Sequence, residues 1–329
     1  MTFLLRPHLR LMAAAAVLSI VSQAAHAQPY PSKPITVLSG FAAGGPTDVV
    51  MRILADRMRV SLDQPIIIEN AVGAAGSIAA GRVARAAADG YTLSVGHWST
   101  HVVNGAIYSL SYDLLKDLEP VALLPSNPMI VVTKKSVPAG NLKELIAWVK
   151  ANQDKLSVGT AGVGSATHVS GVYFQKHTDA RLTFVPYRGT GPALQDLVAG
   201  QIDMIVDQAT NSLPQVRNGT IKAYAVTAKT RLASAPDVPT VDESGLPGFY
   251  VSVWYGLWAP RGTPKAAIDK LSAAAMEAMA DPAVRKRYAE LGMEIPSREQ
   301  QTPSALAAFQ KAEIEKWWPI IKAANMKAE

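Results

Sequence analysis

The chain has no cysteine, which excludes disulfides, thiol chemistry and a lipid-carrying cysteine behind a leader. Charge is also scarce: 18% of the 329 residues are Asp, Glu, Lys or Arg, yet no long polar tract reads as disordered. The formal net charge of +6 is spread along the chain. It forms no basic stripe with interleaved aromatics, so no nucleic-acid partner is expected, and the weak positive field favours small anions. Signatures of catalysis are missing as well. There is no G-x-S-x-G elbow, no phosphate loop ending in Gly-Lys-Ser/Thr and no H-E-x-x-H. Ser165 and His168 make a Ser–His pair in sequence without a convincing orienting acid. No catalytic residue, cofactor or resident metal is expected.

Apolar length is short everywhere. Arg6, His8 and Arg10 precede an apolar run from Leu11 to Val21, briefer than the roughly 20 residues that span a bilayer. Ala25-His26-Ala27 is a small-x-small cleavage site. Residues 1–27 therefore read as a secretory signal cleaved near Ala27, with the mature chain starting near Gln28. In a bacterium that means the periplasm, as a soluble protein.

What remains is long enough for about two domains. After Pro34 the pattern alternates strand and helix: Ile35 to Ser39, a helix opened by Gly44-Gly45-Pro46-Thr47, Pro65 to Glu69, Ser77 to Ala87, and Tyr91 to Gly96. The alternation resumes from Asn141 to Val206, and the last 65 residues are mostly helical, with Pro319 expected to kink the final helix. Repeated βα units predict parallel sheets flanked by helices. The middle stretch, 127–225, reads as a lobe inserted into a first lobe made of 28–126 and 226–329. Two extended crossings, near Val121 to Val132 and within Tyr224 to Ala259, would serve as the hinge.

Ligands on such sheets bind where strands lead into helices. Two loops of that kind stand out. Gly40-Phe41-Ala42-Ala43-Gly44-Gly45-Pro46-Thr47-Asp48 opens one helix, and Gly162-Val163-Gly164-Ser165-Ala166-Thr167-His168 opens another. Free N–H groups and the dipole at a helix start bind an anion without Arg or Lys. Each loop also reads as an ordinary turn, the first capped by Thr47 or Asp48. Two such loops in opposite lobes could grip one carboxylate from both sides.

A third cluster, His97-Trp98-Ser99-Thr100-His101, ends a strand. It reads as a loop with satisfied histidines, or as a cleft wall built by Trp98, Ser99 and Thr100. His97 and His101 lack a third metal ligand. Arg188 reads as a loop brace or a contact to a distal anionic group. Asp207 lies at a strand's carboxyl end and reads as a ligand contact or a helix cap. Trp254 reads as a ligand stack or as core.

These blocks resemble the extracytoplasmic solute receptors of tripartite tricarboxylate transporters, the Bug-type receptors, from about Tyr30 to the C-terminus. Phe41-x-x-Gly44-Gly45-x-x-Asp48 looks like the family's first ligand loop and Gly162 to His168 like its second. Val185-Pro186-Tyr187-Arg188-Gly189-Thr190-Gly191-Pro192-Ala193-Leu194 followed by Ala199-Gly200-Gln201-Ile202-Asp203 is the most specific stretch. The resemblance implies a two-lobed α/β fold of the type II periplasmic-binding-protein kind, a Venus flytrap with two parallel or mixed sheets and a hinge. It further implies a small organic carboxylate as ligand: a dicarboxylate, tricarboxylate, acidic amino acid or aromatic acid. The expected ligand contacts are Phe41, Ala42, Gly44, Thr47, Asp48, Trp98, Ser99, Thr100, Gly164, Ser165, Ala166, Thr167, His168, Asp207 and Trp254. The expected partner is a membrane permease of the tripartite tricarboxylate type, served by a monomer. The chain departs from its relatives at Ala42-Ala43, where prolines are common, and at Trp98, where small residues are frequent. An indole there would shorten the pocket or stack on an aromatic acid. A secreted hydrolase or isomerase, and a receptor that signals to a sensor kinase, are the competing readings.

Overall fold

A computed structural model of the chain describes residues 30–153, 155–323 and 326–327. The secretory-signal reading of residues 1–27 lies outside them. The first strands are β1 (Ile35–Ser39), β2 (Ile66–Asn70) and β3 (Thr92–His97), with α1 (Pro46–Leu62) and α2 (Ser77–Ala84) between them. β1 is buried on both faces, as expected of a parallel strand covered by helices. α1 begins with Pro46, whose missing N–H costs nothing in a first turn. Val50, Met51, Leu54, Ala55, Met58 and Leu62 form its buried face at helical spacing.

β4 (Leu118–Lys134) runs for 17 residues and belongs to both halves of the molecule. Its first part, Leu118 to Pro128, pairs antiparallel with β9 (Ser252–Pro260), which pairs in turn with β3. Its last part, from Met129, pairs with β7 (Met204–Gln208) and β8 (Ile221–Val226). β7 then joins β5 (Ser157–Thr160), and β5 joins β6 (Thr183–Pro186). The result is one curled, mixed path, β2-β1-β3-β9-β4-β7-β5-β6, with β8 alongside β4. Purely parallel βα sheets would not produce it. β9 and β4 are antiparallel insertions that tie a parallel trio, β2-β1-β3, to a second parallel group, β7-β5-β6. Register shifts flank that passage along β4, between Pro120 and Ala122, Leu123 and Ser126, and Val131 and Val132, as bulges that bend a strand do.

The helices of the second half are α4 (Leu142–Ala151), α5 (Ala166–Thr178), α6 (Thr190–Val198) and α7 (Ala209–Arg217). The chain closes with α8 (Lys265–Ala280), α9 (Pro282–Glu290) and α10 (Pro303–Ala323). Helix α10 remains a single helix through Pro319. Its buried stripe is Leu306, Gln310, Ile314, Trp317 and Ile321, so Trp317 and Ile321 dock on the core. Where the sequence suggested a loop after β3, the chain forms a π-helical turn, Ser99–Val103, and a short helix α3, Asn104–Ile107. α10 dictates this. Gln310 Nε2 donates to the His101 carbonyl and Trp318 Nε1 to that of Val102, at 2.9 and 2.8 Å.

Candidate functional site

Four helices start at the same small cavity between the two halves. It is lined from one side by Phe41, Gly45, Pro46 and Thr47 at the head of α1, with His97 at the end of β3. From the other side come Ala161, Ser165, Ala166 and Thr167 at the head of α5, Thr190 at the head of α6, and Gln208, the residue before α7. No lining side chain carries a charge at neutral pH.

The donors can be counted from the chain upward. Helix α1 has Gly45 as N-cap with no side-chain cap, and the amides of Thr47 and Asp48 have no acceptor among the described residues. In α5, Ser165 Oγ accepts from His168 N at 3.3 Å, which leaves the amides of Ala166 and Thr167 for a guest. Thr167 Oγ1 accepts from Ala161 N at 2.9 Å and lies 3.1 Å from Ser165 Oγ, fixing the loop's shape. α6 likewise has no side-chain cap. Such unpaired first-turn amides and the aligned dipoles behind them favour negative charge.

Two side chains add donors. His97 is buried, stacked on Phe41 at 4.9 Å and edge-on to Tyr255 at 5.7 Å. Desolvation lowers its pKa to about 3, so the ring is neutral. Its Nδ1 accepts from Ser99 N at 3.2 Å, which assigns the ring proton to Nε2. Gln208 Oε1 accepts from the Tyr255 hydroxyl, leaving the Gln208 amide N–H groups to donate.

Beyond Phe41 and Ala161 lies an outer chamber of about 510 Å³, whose walls include Ala74, Tyr108, Val163, His168, Tyr187 and Arg188. His168 Nδ1 accepts from Gly164 N at 3.3 Å, again leaving Nε2 as the donor. Burial lowers the pKa of this ring too. The exposed Arg188 brings a cation to the chamber. The halves are drawn together around these spaces. A methyl on Gly189 would lie 3.2 Å from the Ala42 backbone N and Cβ.

Of the residues singled out from the sequence, Phe41, Thr47, Ser165, Ala166 and Thr167 line the cavity, and His168 lines the outer chamber. Ala42 meets the opposite half at Gly189, Gly44 borders the cleft's other mouth, and Gly164 faces Tyr108. The others point elsewhere. Asp48 Oδ2 accepts from Gly44 N and Arg52 Nε, and its Oδ1 from Arg52 and Asn70, so it braces the first loop. Desolvation works against its charge, but these four bonds prevail and its pKa lies below the ordinary value. Asp207 faces away because alternation along β7 turns Gln208 to the cavity and Asp207 under α7. There its Oδ2 accepts from Ser212 and Asn211 at 2.6 and 2.7 Å.

Trp98 is a correction to the cleft-wall reading. Its indole is buried against Trp317 at 4.6 Å and reaches neither chamber. Ser99 Oγ lies 3.1 Å from His97 Nδ1. Thr100 Oγ1 accepts from His97 N and donates to its carbonyl, so both residues shape the turn from within. Trp254 sits behind the hinge, donating to Glu313 and packing on Phe309. His97 and His101 do not converge: His101 stacks on Trp258 at 3.7 Å. No group of three potential metal ligands occurs among the described residues. Nor do Ser165 and His168 form a nucleophile–base pair, since the imidazole Nδ1 is engaged by Gly164. His97, Thr190 and Gln208 were not among the ligand contacts expected from the sequence. All three stand where a strand ends or a helix begins, and that position alone was the available signal.

A model of the family described as tripartite tricarboxylate transporter family receptor matches residues 50–326. MatC of Rhodopseudomonas palustris, solved with bound malate, is 44% identical, with 89% of this chain and 100% of that one covered at a TM-score of 0.86. The periplasmic binding protein BugD is 40% identical, with 91% and 100% covered at a TM-score of 0.88. A second R. palustris protein, solved with adipate, is 30% identical, with 91% and 100% covered at a TM-score of 0.86.

Proposed function

The chain belongs to the family of tripartite tricarboxylate transporter receptors, and from that premise we propose that it captures a small dicarboxylate between its lobes and hands it to a membrane permease of that type. The observation that carries the reading is the convergence of helix starts from both sides on one cavity lined by neutral donors. One carboxylate belongs there, on the amides of α1, α5 and α6, with His97 Nε2 and the Gln208 amide completing its shell; the space between them, about 10 Å³, is that of a single water, so the lobes must part slightly to admit it. The second belongs in the outer chamber, towards His168 Nε2 and Arg188. Malate and adipate, the ligands of two relatives, are both dicarboxylates and fit this division. Aromatic acids lose the support that an indole in the cleft would have given them.

In this reading lobe 1 comprises 28–126 and 226–329, lobe 2 is the inserted 127–225, and β4 with the return to β9 forms the hinge. The protein works in the periplasm as a monomer after loss of a leader ending near Ala27. Titration calorimetry on the chain from Gln28 tests the ligand class, with malate, adipate and the uncharged diamide of malate as probes. One of the acids should bind and the diamide should bind at least about 100-fold more weakly, since a buried site for a charged group rejects its neutral mimic. Equal binding of the diamide would overturn the anion site.

A further inference from the structure

We propose that Tyr108 and Val163 form a latch across the cleft that holds the lobes shut and sets the rate at which the bound carboxylate is released; the proposal rests on the receptor reading above. The Tyr108 hydroxyl, in the first lobe, donates to the carbonyl of Val163, in the second, at 2.5 Å. The two residues are 55 positions apart in sequence. Their contact lies at the wall of the outer chamber, between residues that belong to neither β4 nor β9.

Both arms of the latch are held in place. Tyr108 N donates to the Asn104 carbonyl at 2.9 Å, and Asn104 Nδ2 donates to Ala75 O and Ser77 Oγ at 3.0 and 2.8 Å. Behind this arm Gly105 lies against the ring of Trp318, which ties it to α10. On the other side Val163 stands between Gly162 (φ +98°) and Gly164 (φ +79°). This left-handed backbone, which glycine adopts at little cost, turns the Val163 carbonyl outward. Ser165 N closes the turn by donating to Gly162 O at 3.1 Å. Gly164 also makes room, since a methyl there would lie 3.0 Å from Tyr108 Cε2 and 3.1 Å from Asn104 Oδ1.

The latch is separate from the shell of the inner carboxylate. Tyr108 and Val163 line the outer chamber but not the inner cavity, so the phenol roofs the way out without supplying a donor to the inner carboxylate. Burial raises the Tyr108 pKa, keeping the hydroxyl protonated and able to donate. The Val163 side chain is exposed at the rim, where a docking permease could part the contact. A bond made only when the lobes meet stabilises the closed state alone, and so lowers the off-rate of whatever is enclosed.

The test uses Tyr108→Phe, which keeps the ring and removes only the hydroxyl. A chain without cysteine accepts a clean dye pair at Lys116→Cys and Lys176→Cys, exposed positions on opposite lobes. Stopped-flow energy transfer then reads closure with malate and with adipate. Losing one neutral hydrogen bond should raise the off-rate about two- to tenfold, by the same factor for both acids, with the on-rate unchanged. An unchanged off-rate, or a loss confined to one acid, would overturn the latch while leaving the receptor reading intact. If neither acid changes the signal of the unsubstituted pair, the dicarboxylate reading fails. The latch is then judged by whether Tyr108→Phe lowers the closed population of the ligand-free protein; no decrease would overturn it too.

Discussion

Both oxygens of Asp48 are occupied by the loop they help to shape, through Gly44 N, Arg52 and Asn70. A carboxylate three residues into the helix proposed to hold the anion would repel that ligand if it stood free. Engaged on the far side, it instead fixes the peptide planes that present the Thr47 and Asp48 amides. Asp48→Asn keeps the size but exchanges an acceptor for a donor facing Gly44 N and Arg52. Malate affinity should fall about tenfold, in line with the loss of a hydrogen bond to a charged group, as read by calorimetry; an affinity within twofold of the native chain would show that the brace is dispensable. In the sequence Asp48 was readable as belonging to the first loop. Which way its carboxylate points was not, because that depends on Asn70, 22 residues later on the neighbouring strand.

At the scale of elements, the end of β3 and the turn after it decide the protein's response to acid. Desolvation lowers both His97 and His101 to about 3 from an ordinary value of 6.5. Their contribution to stability is full above about pH 6.5 and is lost as the pH falls towards 3. Asp207 has the opposite sign. Burial raises it to about 6 from 3.8, so its contribution is full at low pH and is lost as the pH rises through 6. Between about pH 4 and 6 the unfolded chain therefore binds a net proton more from these three groups. Stability should fall by about 1.4 kcal/mol per pH unit on acidification through that window. Urea unfolding at a series of pH values reads this slope, and a flat profile would contradict it. The sequence offered His97 and His101 as a spaced pair, but their burial depends on Phe41 and Trp258, which come from distant elements. The same reason hid the π-helical turn Ser99–Val103. A polar run such as Ser99-Thr100-His101 has no helical signature, and α10 supplies the partners that make it fold.

For the whole molecule, the order of strands and helices was legible because hydrophobic period and glycine-rich strand ends are local signals. The second parallel group, β7-β5-β6, was legible for the same reason, as a second series of βα units. What local signals could not reveal was β4 pairing with β9 along one half and with β7 and β8 along the other, since antiparallel pairing between segments so far apart in sequence leaves no mark on either one. The two loops at the heads of α1 and α5, which line the cavity, were visible as glycine-rich helix starts. The other cavity residues, His97, Thr190 and Gln208, join them only once the sheet has brought four strand ends and helix starts to one place. Trp98 misled for the complementary reason: a large aromatic at a strand end reads as a cleft residue until Trp317, on the last helix, is seen to cover it.

In the proposed site, amides and not cationic side chains are the primary ligands of the anion. A nitrogen–proton correlation spectrum of the isotope-labelled chain, recorded during titration with malate, observes those amides one by one. The signals of Thr47, Asp48, Ala166, Thr167, Thr190 and Gly191 should move downfield together and saturate at the same malate concentration, in both lobes at once. If they stay in place while malate binds, or if only one lobe responds, the carboxylate is held by other groups and the convergence of helix starts is not the binding site.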